Sequence, residues 1–232
     1  MRRILIIALS LVAAALLLVA AVAVGLFWAA HHEPTFYRQA IRSRTGREKA
    51  AGDEMETRVL ELHNDARKTG SWQAVFTQEQ INGWLAAELP EKFPGLLPPG
   101  LKDPLVAIEE GRARVAVRYE DDRLATVLSC VVEVHLAHEP DTLALRFRRL
   151  RAGALPLPLG PFVERATAAA RRAHVRLRWS QAGGDPVALV TLPTQHRQFP
   201  ARHIHVDTIE LRSQELLVSG HTEHGENSSP VD

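Results

Sequence analysis

The segment RARVAVRYE, Arg112–Glu120, decides the predicted fold. Its odd positions from 113 to 119 are apolar, and three of its even positions are arginine. This alternation is typical of a β-strand with one buried face and one face in water. Similar alternation continues over residues 123–137 and, after the turn at Glu139-Pro-Asp141, over residues 143–148. Because the connections are too short for a crossover, we predict an antiparallel β-meander here.

Helices are predicted on the N-terminal side of this meander. Thr77-x-x-Gln80 is a capping box, whose two side chains satisfy backbone N–H groups at the start of a helix. It predicts a helix over Gln78–Leu89 that Pro90 ends. Gly83 in the helix interior is less favourable than alanine by about 1 kcal/mol, which indicates close approach by another segment. Apolar residues at helical spacing predict a further amphipathic helix over residues 48–68.

A further helix is predicted after the meander. The segment from Leu155 to Pro161 contains three prolines and therefore cannot be a central strand. Pro161 suits the first turn of a helix that runs to about His174. Alternating residues over 175–192 and 204–219 then predict two hairpins.

The N-terminal segment predicts a membrane anchor. Between Ile4 and Trp28 lie 25 residues without a charge, and 23 of them are hydrophobic. A helix of that length, at about 1.5 Å per residue, crosses a hydrocarbon core of about 30 Å. A cleaved signal peptide is the alternative, but its apolar region usually has only about 7 to 15 residues. The predicted fold class is therefore α+β: an N-terminal transmembrane helix followed by a curved antiparallel β-meander packed on one or two helices.

The charges that flank the span indicate its orientation. Arg2 and Arg3 adjoin it, whereas residues 29–37 contain no lysine or arginine. The positive-inside rule then places the N-terminus in the cytoplasm and the globular part outside it. The predicted domains are an anchor over residues 1–30, a juxtamembrane linker with the amphipathic helix over 31–71, an α+β globular domain over 72–220 and a disordered tail over 221–232.

Composition excludes several classes of protein. The chain has a formal net charge of +1, and its first 30 residues hold two arginines and no acidic residue, so the remainder has a net charge of −1. We therefore expect no nucleic-acid partner. Cys130 is the single cysteine, which excludes an intrachain disulfide and a cysteine-ligated zinc site. Arginines on the outer strand faces are interpreted as a solvated surface rather than an anion groove.

Sequence motifs for catalysis and metal binding are weak in this chain. We find no G-x-S-x-G elbow, no H-E-x-x-H pair and no glycine-rich phosphate loop in the sequence. His203-x-His205-x-Asp207 would place three ligand types on one strand face, but nothing fixes a fourth ligand. Alternating polar residues are also usual in any half-exposed strand. We therefore expect no catalytic residue, no metal and no cofactor.

The order of these features resembles the YpmS-like family of membrane-anchored bacterial proteins, which is similar to tubular lipid-binding (TULIP-type) domains. The resemblance covers roughly residues 72–220 and implies a curved antiparallel sheet wrapped around a long helix, with an apolar groove suited to acyl chains, outside the cytoplasm. It rests on the N-terminal anchor, Phe76-Thr77 with Gln80-Ile-Asn82, the meander, Ala154-Leu-Pro-Leu-Pro158, and the last hairpin from Glu210-Leu211 to Leu217-Val218-x-Gly220.

The functional expectation is an anchored extracytoplasmic domain that binds a lipid or another apolar ligand at the bilayer surface, without catalysis. A groove between sheet and helix would hold the apolar part, and arginines of the outer strand faces would meet the polar end. The predicted lining residues are Trp84, Leu85, Val117, Leu145, Phe147 and Trp179. The alternative is a scaffold or assembly protein of the cell envelope, with a filled core and a protein partner of unknown identity.

Overall fold

The computed structural model describes residues 32–44, 46–122, 125–172, 175–192, 195–196 and 199–224. The predicted anchor over residues 1–30 lies outside this description, as does the predicted tail from residue 225 onwards. Among the residues described, no helix combines the length and the apolarity that a membrane crossing requires.

Helical segments lie before the first strand, directly after it, and after the meander. A π-helical segment, Trp84–Glu88, joins the two short helices that follow the first strand into one continuous helix. The helices are α1 (Thr35–Arg42), α2 (Glu48–Ala66), α3 (Gln78–Gly83), α4 (Leu89–Lys92) and α5 (Leu159–Arg172).

The strands form two antiparallel sheets. They are β1 (Gly70–Thr77), β2 (Leu101–Glu109), β3 (Arg112–Glu120), β4 (Ala125–Leu136), β5 (Thr142–Ala152), β6 (Leu155–Pro156), β7 (Leu177–Ala182), β8 (Asp185–Thr191), β9 (Gln195–His196), β10 (Phe199–Arg212) and β11 (Glu215–His224). The smaller sheet has the order β1-β11-β10-β9. The larger sheet has the order β2-β3-β4-β5-β8-β7, and β6 pairs with β5.

The α+β class with an antiparallel meander is confirmed. Strands β2 to β5 are neighbours in the sheet in the same order as in the chain. The capping box is also confirmed, since the Thr77 hydroxyl accepts from Gln80 N at 3.2 Å and Gln80 Oε1 accepts from Thr77 N at 3.0 Å. After the meander the chain passes through α5, and β8 rather than β7 pairs with β5.

The larger sheet has two chemically different faces, because its strands alternate apolar and charged residues. The register places Val117, Leu145 and Phe147 on one side, which we call the apolar face. The opposite side, the arginine face, carries Arg114 and Arg146. The smaller sheet packs against one end of the apolar face through a cluster of Ile108, Ala113 and Leu211.

Helix α1 covers part of the arginine face. Tyr37 is fully buried there, and its hydroxyl donates to the carbonyl oxygen of Asp103 at 3.1 Å. The guanidinium of Arg114 lies over the Phe36 ring at 4.6 Å from its centroid. The core residues around Tyr37 are Leu105, Ala116 and Val127. Residues 35–42, predicted to be part of a linker, therefore contribute to the core.

Two predicted boundaries differ from the structure. The helix predicted to end at Pro90 continues to Lys92. Strand β11 continues to His224, so residues 221–224 belong to the smaller sheet and not to the tail expected from residue 221. Thr222 explains this extension, because its buried hydroxyl donates to the carbonyl oxygen of Ala66 at 2.7 Å and accepts from Trp72 Nε1 at 3.2 Å.

Candidate functional site

The six predicted lining residues fall into two groups. Phe147 and Trp179 are in contact, with ring centroids 5.9 Å apart, and both ring systems meet Phe162 of α5. Val117 and Leu145 lie on the same apolar face. The other two residues, Trp84 and Leu85, belong to the π-helical segment and line cavities to which none of the other four contributes.

The π-helical segment sets the directions of Trp84 and Leu85. It ends directly before α4, so that Pro90 falls in the first turn of α4, a position at which proline is common. The wider turn also shifts the residues after it around the helix axis relative to a regular α-helix. Leu89 consequently points into the core with 5% exposure, while Trp84 and Leu85 stay half-buried at the surface.

Close packing of α2 against α3 positions this segment. A Cβ atom at Gly83 would lie 2.6 Å from the carbonyl oxygen of Glu48 and 2.7 Å from Ala51 Cβ. Gly52 faces the same contact, 3.3 Å from the Gly83 backbone for an added Cβ. The close approach predicted at Gly83 is therefore confirmed. It brings residues 55–60 of α2 beside Trp84.

The first cavity, which we call the helix cavity, opens between α2 and the π-helical segment. It has a volume of about 380 Å³ and is lined by Met55, Glu56, Val59, Leu60, Trp84, Lys92 and Phe93. Leu60 is 62% exposed and Phe93 is 50% exposed, so the lining includes large apolar side chains that are open to solvent. The Trp84 and Phe93 rings contact each other, with centroids 5.9 Å apart.

The second cavity, the loop cavity, lies on the other side of Phe93. It has a volume of about 510 Å³ and lies between the helical segment and the start of β2. Prolines at positions 90, 94 and 104 shape its wall. Its apolar side chains include Leu85, Leu89, Phe93, Leu97 and Leu101. Leu96, in the same loop, is exposed. Phe93 thus separates two apolar cavities that are both open to the surface.

A polar group lies beside the helix cavity. Glu88 is only 2% exposed, and its carboxylate pairs with Lys92 at 2.9 Å and lies 3.6 Å from Lys49 Nζ. Lys92 also donates to Glu56, which accepts from Trp84 Nε1 at 3.3 Å. The Lys92 hydrogen bond lowers the pKa of Glu88 against the opposing effect of burial. The carboxylates of Glu56 and Glu88 raise the pKa of Lys92, so the positive charge of Lys92 is balanced by these two neighbours.

The start of the described chain lies beside the loop cavity. Arg118 pairs with Glu33 at 3.1 Å. Arg118 is also the cross-strand partner of Lys102, which lines the loop cavity. Asp103, another lining residue, pairs with Arg44 at 3.0 Å and accepts the Tyr37 hydrogen bond through its carbonyl oxygen. The residues that follow the predicted anchor are therefore tied to the wall of this cavity.

The arginines expected at the mouth of the groove have other partners. Strand alternation puts them on the face opposite Val117 and Leu145, so they cannot border a groove on the apolar face. Arg146 and Arg148 both pair with Glu133 and Asp185. Arg114 pairs with Glu109. These three arginines therefore pair with carboxylates of the larger sheet and do not border a groove on the apolar face.

The histidines of the last hairpin form a second polar group. His205 and His221 are directly opposite each other on β10 and β11, and their rings stack with centroids 5.0 Å apart. His221 Nδ1 lies 2.8 Å from Asp207 Oδ2, and this hydrogen bond raises the pKa of His221. The sequence pattern His203-x-His205-x-Asp207 missed His221 and Glu223, because these two residues come from the neighbouring strand.

Comparison with protein-family models, with curated proteins and with solved structures finds no match for this chain.

Sequence reasoning found Trp84 and Leu85 but missed most of the lining of the two cavities. Met55 and Val59 belong to the apolar spacing that predicts the amphipathic helix over residues 48–68, and both line the helix cavity, where Val59 is 44% exposed. No periodic pattern in the sequence singles out Phe93. The available signal was the apolar, proline-rich composition of residues 93–100, which exceeds what an ordinary solvated loop contains.

Proposed function

We propose that this protein is an anchored extracytoplasmic domain that binds a membrane lipid by its acyl chain, without catalysis. The observation that carries the proposal is the pair of apolar cavities that share Phe93. Their volumes, about 380 and 510 Å³, lie within the range of about 300–1,000 Å³ that is usual for small-ligand sites. The apolar face near Val117, Leu145, Phe147 and Trp179 is the competing location for the acyl chain.

The position of the residues that follow the predicted anchor supports a lipid as the ligand of the cavities. Glu33 follows the predicted anchor by three residues, and it pairs with Arg118 next to the loop cavity. A bilayer that held this anchor would therefore have its lipids within reach of the cavity. Exposed apolar side chains concentrated at one place are typical of membrane or ligand contact.

The energetics favour uptake of an acyl chain. Each buried methylene contributes about 0.8 kcal/mol, so even part of a long acyl chain supplies several kcal/mol before the ordering of the chain is subtracted. The charged groups beside the helix cavity, Glu56, Glu88 and Lys92, are paired with one another. A binding role fits these pairs better than a catalytic one, because a general acid or base needs a proton site directed at the substrate.

Lipid extraction from the purified full chain tests the proposal. The protein is exchanged into lipid-free detergent, extracted with organic solvent, and analysed by mass spectrometry for lipid per protein. Phe93→Glu places a charge between both cavities and is expected to reduce retained lipid at least fivefold. Val175→Glu is the matched control, because Val175 is also exposed, at 41%, but lies outside both cavities.

Quenching by lipids with brominated acyl chains distinguishes the two candidate locations. We expect Trp84→Phe to remove a quenched component of the tryptophan emission and Trp179→Phe to leave that component unchanged. The opposite pattern would move the acyl chain to the apolar face beside Phe147. Retention of no lipid by the wild-type chain would contradict lipid binding and leave the scaffold function in its place.

A further inference from the structure

We infer that the β10–β11 hairpin carries a binding site for a divalent transition-metal ion of the zinc class, formed by His205, His221 and Glu223. One nitrogen or oxygen atom from each of the three side chains lies within 4.8 Å of the others. Imidazole and carboxylate are ligands that Zn²⁺ takes in proteins, with metal–ligand distances of about 2.0–2.2 Å. This site is separate from the two cavities at Phe93, and neither proposal depends on the other.

The strand register creates this arrangement. Directly opposite residues of an antiparallel pair project to the same side, and His205 is opposite His221. Glu223 is two residues beyond His221 on β11, so it projects to the same side. A bulge after Val206 displaces the next residue, Asp207, from the regular ladder and brings its carboxylate to His221 Nδ1 at 2.8 Å.

The geometry at His221 resembles that of a metal ligand oriented by a second residue. When Nδ1–H donates to Asp207, the neutral ring presents its Nε2 lone pair on the other side. That Nε2 lies 3.5 Å from Glu223 Oε1. Two ligands of a tetrahedral zinc ion are separated by about 3.3 Å, which follows from its bond lengths. An ion between these two atoms thus requires only small adjustments of the His221 and Glu223 side chains, with His205 within 4.8 Å as the third ligand.

The surroundings of the site favour a cation. The hollow around the site has a volume of about 380 Å³ and is lined by Pro140, Asp141, His205, Val206, Asp207, His221 and Glu223. Its three carboxylates are not accompanied by a lysine or an arginine among the lining residues. Asp141, from the β4–β5 turn, lies 3.9 Å from His205 Nδ1. Asp141 thus adds negative charge beside the ligands without being one of them.

Titration of the full chain with Zn²⁺ by calorimetry, and with Co²⁺ by visible absorption, tests the site. The protein is prepared in detergent with an affinity tag that contains no histidine. We expect one equivalent of either ion to bind. His205→Asn and His221→Asn should each weaken binding at least tenfold, and Asp207→Asn should weaken it about 10- to 100-fold through loss of the orienting hydrogen bond.

His203→Asn is the matched control, because His203 lies on the same strand and the same side but outside the ligand set. It should leave the affinity unchanged, and circular dichroism should show all variants folded. Absence of binding by the wild-type chain would overturn the proposal. Binding that is lost with His203→Asn and retained with His221→Asn would also overturn it, because the ligands would then lie along β10 alone.

Discussion

Cys130 lies on the apolar face, in β4, where burial raises the pKa of its thiol to about 11. Because the thiolate is the reactive form, we expect the native chain at pH 8 to react with iodoacetamide at least about tenfold more slowly than the urea-unfolded chain. The unfolded thiol, with a pKa of about 8.5, ionises first, so the free energy of unfolding should fall as the pH rises from about 9 to about 11. Mass spectrometry measures the labelling, and equal rates would place Cys130 in solvent.

Glu88 gives a test at acidic pH. The hydrogen bond from Lys92 lowers the pKa of Glu88 in the folded state. Its stabilising effect is therefore present above the unfolded pKa and is lost as the pH falls through the folded pKa. Glu88→Gln should lower the denaturant midpoint at pH 7, and the difference from wild type should shrink towards pH 3. Glu91→Gln, at an exposed neighbouring position, is the control, and a constant difference for Glu88→Gln would contradict the pairing.

Among the elements, the contact between α2 and α3 depends on the missing side chain of Gly83. Alanine there would place Cβ 2.6 Å from the Glu48 carbonyl oxygen. We expect Gly83→Ala to destabilise the protein by about 1–3 kcal/mol, despite the better helix propensity of alanine. Gly160→Ala in α5 is the control, since nothing lies within 4 Å of its Cβ, and it should be neutral or stabilising by up to about 1 kcal/mol. Chemical denaturation compares the two variants.

Helix α1 is expected to unfold together with the sheet that it covers. Tyr37 is fully buried against Leu105, Ala116 and Val127, so Tyr37→Ala leaves a cavity and should lower the free energy of unfolding by about 3–5 kcal/mol. Leu60→Ala, at a position 62% exposed, should stay within about 0.5 kcal/mol of wild type. Denaturant midpoints measure both effects. Equal midpoints would mean that α1 is a detached linker.

At the scale of the whole molecule, the prediction concerns topology across the membrane. Arg2 and Arg3 adjoin the uncharged span, which favours a cytoplasmic N-terminus. A reporter that works only in the cytoplasm should therefore be inactive when fused to the C-terminus, and one that works only outside it should be active. Moving the two arginines to positions after Trp28 is expected to weaken this preference. A bright cytoplasmic reporter on the wild-type chain would contradict the extracytoplasmic location.

The candidate sites show how far sequence reasoning extends. Trp84 and Leu85 were predicted as lining residues, and they line the helix cavity and the loop cavity, respectively. Val117 and Leu145 were predicted for the same groove, but strand alternation alone does not say which helix covers a sheet face. Phe93 was not predicted, because its exposure depends on how α2 and the loop after α4 pack against each other.

Signals between residues close in the chain determined the local structure. Alternation over Arg112–Glu120 predicted a strand, and Thr77 with Gln80 predicted a helix start, because each depends on side chains only two or three positions apart. The tertiary structure alone decided the burial of Tyr37 against β2, the pairing of His205 with His221, and the π-helical turn before Pro90. These features depend on strand register and on packing between distant segments. They are stabilised by contacts between residues far apart in the chain, which no local sequence pattern encodes.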